Sequence, residues 1–249
     1  MNKWSLISVF TALFAACQPT HQDFVSIPCN SNPVGSENKR IFTSCRQFLY
    51  KASYWDDEYN LISDDKVRMT VTGADSYNEG QDELVIQFAY NPEEEQWIKS
   101  HGINTGLKSR EWTHQVSEGF AEGEKGVWIH PIRHNQYVFT EVAPLPMITY
   151  SKLWVGNEWN AELNIYDGWG DWENANLKEV YQVIDVGELE TPFRKLDSCW
   201  HIQATSFASF GTSTNDYWFH RDYGFVRMQY KNYVGQLLIF DLLDVTEVN

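Results

Sequence analysis

The feature that most constrains this chain is a two-residue alternation of apolar and polar side chains through its second half. Between Cys199 and Ser206, Trp200, Ile202 and Ala204 share one face while His201, Gln203 and Thr205 take the other. Tyr217 and Phe219 share a face in the next run. In the one after, Val226, Met228 and Tyr230 stand opposite Arg227, Gln229 and Lys231. Side chains of an extended strand point alternately to the two sides of a sheet, so this is the pattern of strands buried on one face. Tyr223-Gly224 and Val234-Gly235 separate the runs as turn signals, which makes the three an antiparallel meander. A slip of one residue would bury Arg227, Gln229 and Lys231, so the register is firmly specified. Residues 236–245 are apolar on both faces, as expected of a central or covered strand. Weaker alternation marks 67–72, 84–90, 111–116, 125–130, 137–142, 161–166 and 179–186 as further strands.

One helix is signalled. Asn91 can cap it, Pro92 suits its first position, and Glu93-Glu94-Glu95 complement the positive end of the helix dipole. Gly102 can end it after His101, with Trp97, Ile98 and His101 expected on the inner face. The expected fold class is therefore mainly β, an antiparallel sheet with one or two short helices.

The N-terminus has a different character. Lys3 precedes an uncharged, mostly apolar stretch from Trp4 to Ala16. That stretch is shorter than the roughly 20 residues a bilayer span needs, but it suits a signal peptide. Leu13-Phe14-Ala15-Ala16-Cys17 resembles the bacterial lipobox, with Phe14 where Leu, Val or Ile is usual. The resemblance implies cleavage before Cys17 and lipid on its thiol; the alternative is an ordinary secretory signal followed by a coincidental cysteine. The expected organisation is a lipoprotein signal peptide over 1–16, a polar tether over 17–40 and a single antiparallel β domain over 41–249. The tether is rich in turn residues, as in Asn30-Ser31-Asn32-Pro33-Val34-Gly35-Ser36.

A formal charge of -15 argues against nucleic-acid binding and against adhesion to anionic lipid by charge. Of the four cysteines, Cys17 is assigned to lipid. Cys29 and Cys45 flank a polar segment in a secreted context and are expected to form a disulfide, leaving Cys199 as a buried thiol. A Cys45–Cys199 bridge is the competing pairing.

Candidate chemistry is sparse. His130 and His134 have metal-ligand spacing for a helix, but Pro131 lies between them and the run before is strand-like, so no metal site is expected. Arg133 could hold an anionic ligand group through paired hydrogen bonds. Residues 166–172, Tyr-Asp-Gly-Trp-Gly-Asp-Trp, form an expected loop in which Trp169 and Trp172 stand beside two aspartates. Exposed, such rings stack on sugars; otherwise they pack over the end of the β structure. His130, Arg133, Trp169 and Trp172 are the candidate ligand-binding residues. The acids offer many carboxylate pairs and single out none. No Gly-rich phosphate loop, nucleophile elbow or Cys-x-x-Cys is present, so no catalytic residue and no cofactor is assigned.

Trp128-Ile-His-Pro-Ile-Arg133, Pro144-Leu-Pro-Met147, Val155-Gly-Asn-Glu-Trp159, Cys199-Trp200 and 217–226 resemble successive markers of uncharacterised Bacteroidota lipoproteins. The closing strands are also similar to the curved sheet of the lipoprotein-carrier (LolA/LolB) class. That likeness implies a curved sheet or incomplete barrel with an apolar concave face. The expected role is a non-enzymatic envelope lipoprotein that binds an amphiphilic or apolar ligand there, or supports an envelope assembly. A glycan-binding module using exposed tryptophans and, behind it, a hydrolase are the alternatives. The expected location is the outer membrane, facing the periplasm, with the cell surface as the other possibility.

Overall fold

The structure, a computed structural model, describes residues 24–31, 40–74, 78–101, 111–166 and 169–247. Cys17 and the expected signal peptide lie outside the described residues, as do Gly102, Asp167 and Gly168.

Twelve strands form one antiparallel sheet. The first six are β1 (Arg46–Trp55), β2 (Leu61–Val71), β3 (Asp82–Ala89), β4 (Gln115–Gly123), β5 (Gly126–Ile129) and β6 (Met147–Thr149). The rest are β7 (Glu158–Asn164), β8 (Asn176–Glu190), β9 (Lys195–Ala208), β10 (Gly211–His220), β11 (Gly224–Lys231) and β12 (Leu237–Glu247). Their order is β6-β5-β4-β3-β2-β1-β12-β11-β10-β9-β8-β7. The chain thus meanders outward from β1, crosses to the far edge, and meanders back until β12 pairs with β1.

This order forces curvature. Laid flat, twelve strands about 4.8 Å apart would separate the edge strands β6 and β7 by roughly 50 Å. Thr149 and Glu158 are nine residues apart in sequence, a path of at most about 30 Å. The sheet must therefore curl until its edges approach, giving an incomplete barrel. Backbone bonds from Gly156 N to Val183 O (2.8 Å) and Val183 N to Asn157 O (2.9 Å) fasten the crossing segment onto β8.

Every second side chain lines the concave face. Phe48, Tyr50, Ala52 and Tyr54 on β1, Val67, Met69 and Val71 on β2, and Leu238, Phe240 and Leu242 on β12 are all buried. So are Val226, Met228 and Tyr230 on β11, while Arg227 pairs with Asp241 on the convex side. The run 236–245 becomes β12, in the middle of the sheet.

The barrel has two ends. The upper carries the turn between β1 and β2, the segment between β3 and β4, and residues 165–175. The lower carries the start of β1, the crossing segment 150–157 and the turns after β8 and β10. At the lower end Ile41 and Phe42 close the core. The Glu122 carboxylate holds them by accepting the backbone N–H of Arg40 (3.1 Å), Ile41 (3.0 Å) and Phe42 (2.8 Å). Gly224 turns there with φ +71°, and a Cβ on it would lie 2.8 Å from Ile41 Cγ2. The Cys29–Cys45 disulfide, with Cα atoms 5.4 Å apart, pins the N-terminal segment to this end, and Cys199 is a buried free thiol. Residues 24–30 lie against β2 and β3, with Val25 O accepting from Gln87 Nε2 at 3.1 Å.

Four expectations are corrected. Residues 137–142 are not a strand but part of a 3-10 helix, Asn135–Val142, in which every residue is buried. The strand expected at 111–116 begins four residues later and runs on to Gly123. The helix α1 (Pro92–His101) forms with Asn91 Oδ1 accepting from Glu93 N at 3.0 Å, and Ile98 is buried, but Trp97 is 42% exposed. At 100° per residue Trp97 cannot share the narrow face that Ile98 takes against the sheet. The His101 side chain lies outside the described residues. Trp200 is half-buried rather than central. Register shifts between Val183 and Asp185 and between Gly187 and Leu189 interrupt the β8–β9 pairing on either side of the Val186–Trp200 pair.

Candidate functional site

The concave face is filled by the chain itself. After β5 the backbone turns inward, runs as the buried 3-10 helix Asn135–Val142, and leaves through Pro144-Leu145-Pro146 to β6. Phe139 packs on Tyr54 with ring centres 5.7 Å apart, and Tyr137 packs edge-on to Phe240 at 5.4 Å. A backbone segment inside an apolar shell must find partners for its polar groups, because each one left unpaired costs about 1–3 kcal/mol. Three groups of polar side chains hold the segment, two through its side chains and the third through its backbone carbonyls.

The first group holds the start of the segment. Arg133 donates from Nε to Glu118 Oε1 at 2.9 Å, from Nη2 to Glu118 Oε2 at 2.7 Å and from Nη1 to Glu141 Oε2 at 2.7 Å. Glu118 is almost wholly buried on β4. Burial opposes the Arg133 charge, but Glu118 and Glu141 more than compensate and hold its pKa above the usual range. His130 Nδ1 lies 3.4 Å from Glu118 Oε2, and His134 Nδ1 lies 3.5 Å from Oε1. Burial first, and Arg133 second, lower the His130 pKa to about 4, so its ring is neutral near pH 7. The Trp169 ring lies 5.6 Å from the Arg133 guanidinium carbon.

The second group holds the 3-10 helix. Asp65 Oδ2 accepts from Gln136 Nε2 at 2.8 Å and Tyr137 OH at 3.0 Å. Tyr90 OH donates to Gln136 Oε1 at 3.0 Å and accepts from Asn135 Nδ2 at 2.7 Å. Burial, reinforced by Glu94, raises the Asp65 pKa to about 7, and its Oδ1 is buried without a hydrogen bond.

The third group holds the exit. Asn215 Nδ2 donates to Pro144 O at 3.0 Å, and Tyr217 OH donates to the same carbonyl. Tyr181 OH lies 3.0 Å from Leu145 O and 2.8 Å from Glu179 Oε2. One hydroxyl proton cannot serve both oxygens. A protonated Glu179 resolves this by donating to Tyr181, which then donates to Leu145 O. Burial raises the Glu179 pKa to about 7, consistent with that arrangement.

Of the candidate residues, the structure brings His130, Arg133 and Trp169 together at the upper end. The fork of Arg133 points at two carboxylates of its own chain rather than at an open pocket. Of the two readings of the tryptophan loop, the packed one holds and the exposed platform does not: Trp169 is 6% and Trp172 4% exposed, and Trp172 Nε1 donates to Tyr233 OH at 3.0 Å. These rings cover the upper end of the core, because burying so large an apolar surface outweighs leaving it in water. Among the described residues no group of three His, Cys, Asp or Glu side chains could hold a metal ion. Sequence reasoning missed Asp65, Glu118 and Glu179. Their signal was parity, since each carboxyl falls on the inward-facing side of its strand, in step with Val67, Phe120 and Tyr181.

No family model matches the sequence, and no curated protein matches it. Among solved structures, the chain is distantly similar to a putative lipoprotein from Parabacteroides distasonis ATCC 8503. Identity is 12%, the TM-score is 0.45, and 83% of this chain and 97% of that chain are covered. It is also similar to a putative exported protein with YmcC-like fold from Bacteroides fragilis NCTC 9343. There the identity is 9%, the TM-score 0.39, and the coverage 82% of this chain and 96% of that chain.

Proposed function

We propose that this chain is a lipid-anchored envelope protein of the outer membrane, facing the periplasm, and that its role is non-enzymatic support of an envelope assembly. Anchoring rests on the apolar stretch before Cys17 and the small residues Ala15 and Ala16. The choice of a supporting role over carriage of an apolar ligand rests on one observation, the occupied interior. A carrier needs an apolar cavity of several hundred Å³. Here residues 135–142 are wholly buried in the space that such a ligand would take. The glycan reading loses its platform with Trp169 and Trp172 buried. The carboxylate beside His130 and His134, Glu118, has both oxygens engaged by Arg133, which leaves it no free role as acid or base for a hydrolase.

Two measurements test the reading. Cys17→Ser should release a soluble form or leave an unprocessed precursor; a variant that stays membrane-bound with unchanged mass contradicts the anchor. Native mass spectrometry of the soluble form should give the mass of the polypeptide alone. One bound amphiphile per chain would restore the carrier role.

A further inference from the structure

The side chains that hold the exit of the inserted segment leave polar atoms of their own unpaired. Glu179 uses Oε2 on Tyr181, and Asn215 uses Nδ2 on Pro144 O and, at 2.6 Å, on Tyr217 OH. Glu179 Oε1, Asn215 Oδ1 and Ser206 Oγ are buried, and among the described residues they make no hydrogen bond. The large majority of buried side-chain polar atoms are paired, and leaving one unpaired costs about 1–3 kcal/mol. Three in one place therefore call for a common partner.

They do share one place. Glu179, Ser206 and Asn215 stand on the adjacent strands β8, β9 and β10, on the concave side with Tyr181, Ala204 and Tyr217. Glu179 is directly opposite Ser206, and Ser206 is opposite Ser213, the inward residue next to Asn215. Cβ atoms of opposed residues lie about 5 Å apart and those of diagonal neighbours about 7–8 Å. The ends of Glu179 and Asn215 converge further, because they reach consecutive carbonyls. Tyr181 OH lies 2.8 Å from Glu179 Oε2 and 3.0 Å from Leu145 O, while Asn215 Nδ2 lies 3.0 Å from Pro144 O. Burial, then Tyr230, Tyr181 and Glu179, raise the Tyr217 pKa, so the hydroxyl beside Asn215 feels Glu179 across the same space. The residues opposite the three are small: Ala161 faces Glu179, Ser213 faces Ser206 and Ala204 faces Asn215. That leaves room beside the unpaired atoms that branched side chains would take.

We propose that Glu179, Ser206 and Asn215 form a buried binding site for a single water molecule, which ties the group holding Leu145 to the group holding Pro144. The count of donors and acceptors fits water. Glu179 Oε1 and Asn215 Oδ1 accept its two hydrogens, and the Ser206 hydroxyl donates to its oxygen. Buried waters make about three such bonds to groups that otherwise have none. The fit is to a neutral Glu179, whose one proton is directed at Tyr181. A monovalent cation would also meet three oxygens, but it would need the ionised carboxylate and would leave the Ser206 proton without an acceptor. Ser206, on the middle strand, owes its place to this role, since alanine would fill the same position without a polar group to satisfy.

The test is a crystal structure of the full chain carrying Cys17→Ser, at a resolution that shows ordered water and with rubidium chloride as the salt. Crystals grown well below pH 7 keep Glu179 protonated, since its pKa is about 7. One peak is expected within hydrogen-bonding distance, about 2.5–3.2 Å, of Glu179 Oε1, Ser206 Oγ and Asn215 Oδ1, without anomalous signal. Anomalous scattering from rubidium at that point overturns the proposal by assigning a cation. Absence of the peak, with the three atoms bonded to one another or Ser206 turned to a backbone carbonyl, overturns it as well. Solution supplies a second reading. Ser206→Val removes the donor and fills the space, so oxygen-17 relaxation dispersion should count one long-lived water fewer than in the parent. An equal count in a folded variant contradicts the site, and if that variant fails to fold the parent crystal structure decides alone.

Discussion

Glu118 and Arg133 meet inside the barrel as a two-pronged pair, Nε to Oε1 at 2.9 Å and Nη2 to Oε2 at 2.7 Å, and so tie the inserted segment to β4. Removing the cation takes the partner from two buried carboxylates, Glu118 and Glu141, whereas neutralising Glu118 as well leaves one fewer buried charge. Arg133→Met should cost about 3–5 kcal/mol in urea denaturation. Glu118→Gln combined with Arg133→Met should cost less than the single change. Equal or greater loss in the double variant would show that the pair is not what holds the segment.

The buried acids set a pH dependence. Asp65 and Glu179 have folded pKa values raised to about 7, above the unfolded range near 4. Between those values the unfolded chain has released protons that the folded chain still holds. Their contribution is therefore complete below about pH 4 and is lost as pH rises through 7. His130, lowered to about 4, acts the opposite way over pH 4 to 6.5, but it is one group against two. Thermal melts from pH 5 to 8.5 should show stability falling. Asp65→Asn with Glu179→Gln should flatten the slope and gain about 2–4 kcal/mol on the parent at pH 8. A parent slope equal to that of the double variant would contradict this.

The cysteines give a chemical check. The Cys29–Cys45 bridge closes a loop with a sequence separation of 16, and its reduction should remove about 3 kcal/mol. Cys199 is 2% exposed, with its thiol pushed up to about 11 by burial and by Asp197, so it should resist alkylation until the domain unfolds. A mapped Cys45–Cys199 peptide, or rapid labelling of Cys199 in the native state, would reverse the assignment.

What could be read from sequence follows from the range of the forces involved. Alternation is local, so β9 to β12 and their turns were legible, as was the start of α1 from Asn91 and Pro92. The same rule applies to Phe48, Tyr50, Ala52 and Tyr54, so β1 was present in the pattern although it was not picked out. Residues 137–142 misled because their apolar side chains are buried on all sides, and that composition suits a covered strand and an inserted helix equally. What separates the two is the set of partners, Tyr54, Asp65, Phe88 and Phe240, which come from four strands distant in sequence. The candidate site failed in a similar way. Arg133 and Trp169 were visible as chemistry, but the carboxylates that occupy Arg133 lie 15 and 8 residues away, on β4 and on the inserted helix. No local pattern reports such a pairing.

The central claim is that the segment through Asn135–Val142 is a permanent part of the core and not a gate over a binding cavity. Native-state hydrogen exchange of its amides, set beside those of β12, tests this most directly. Both sets should exchange only through global unfolding, with matching opening free energies and the same dependence on denaturant. Exchange in 135–142 faster by about a hundredfold or more while β12 stays protected would mean that the segment swings out on its own. The concave face would then be a cavity that can open, which contradicts a permanently filled barrel and the supporting role inferred from it.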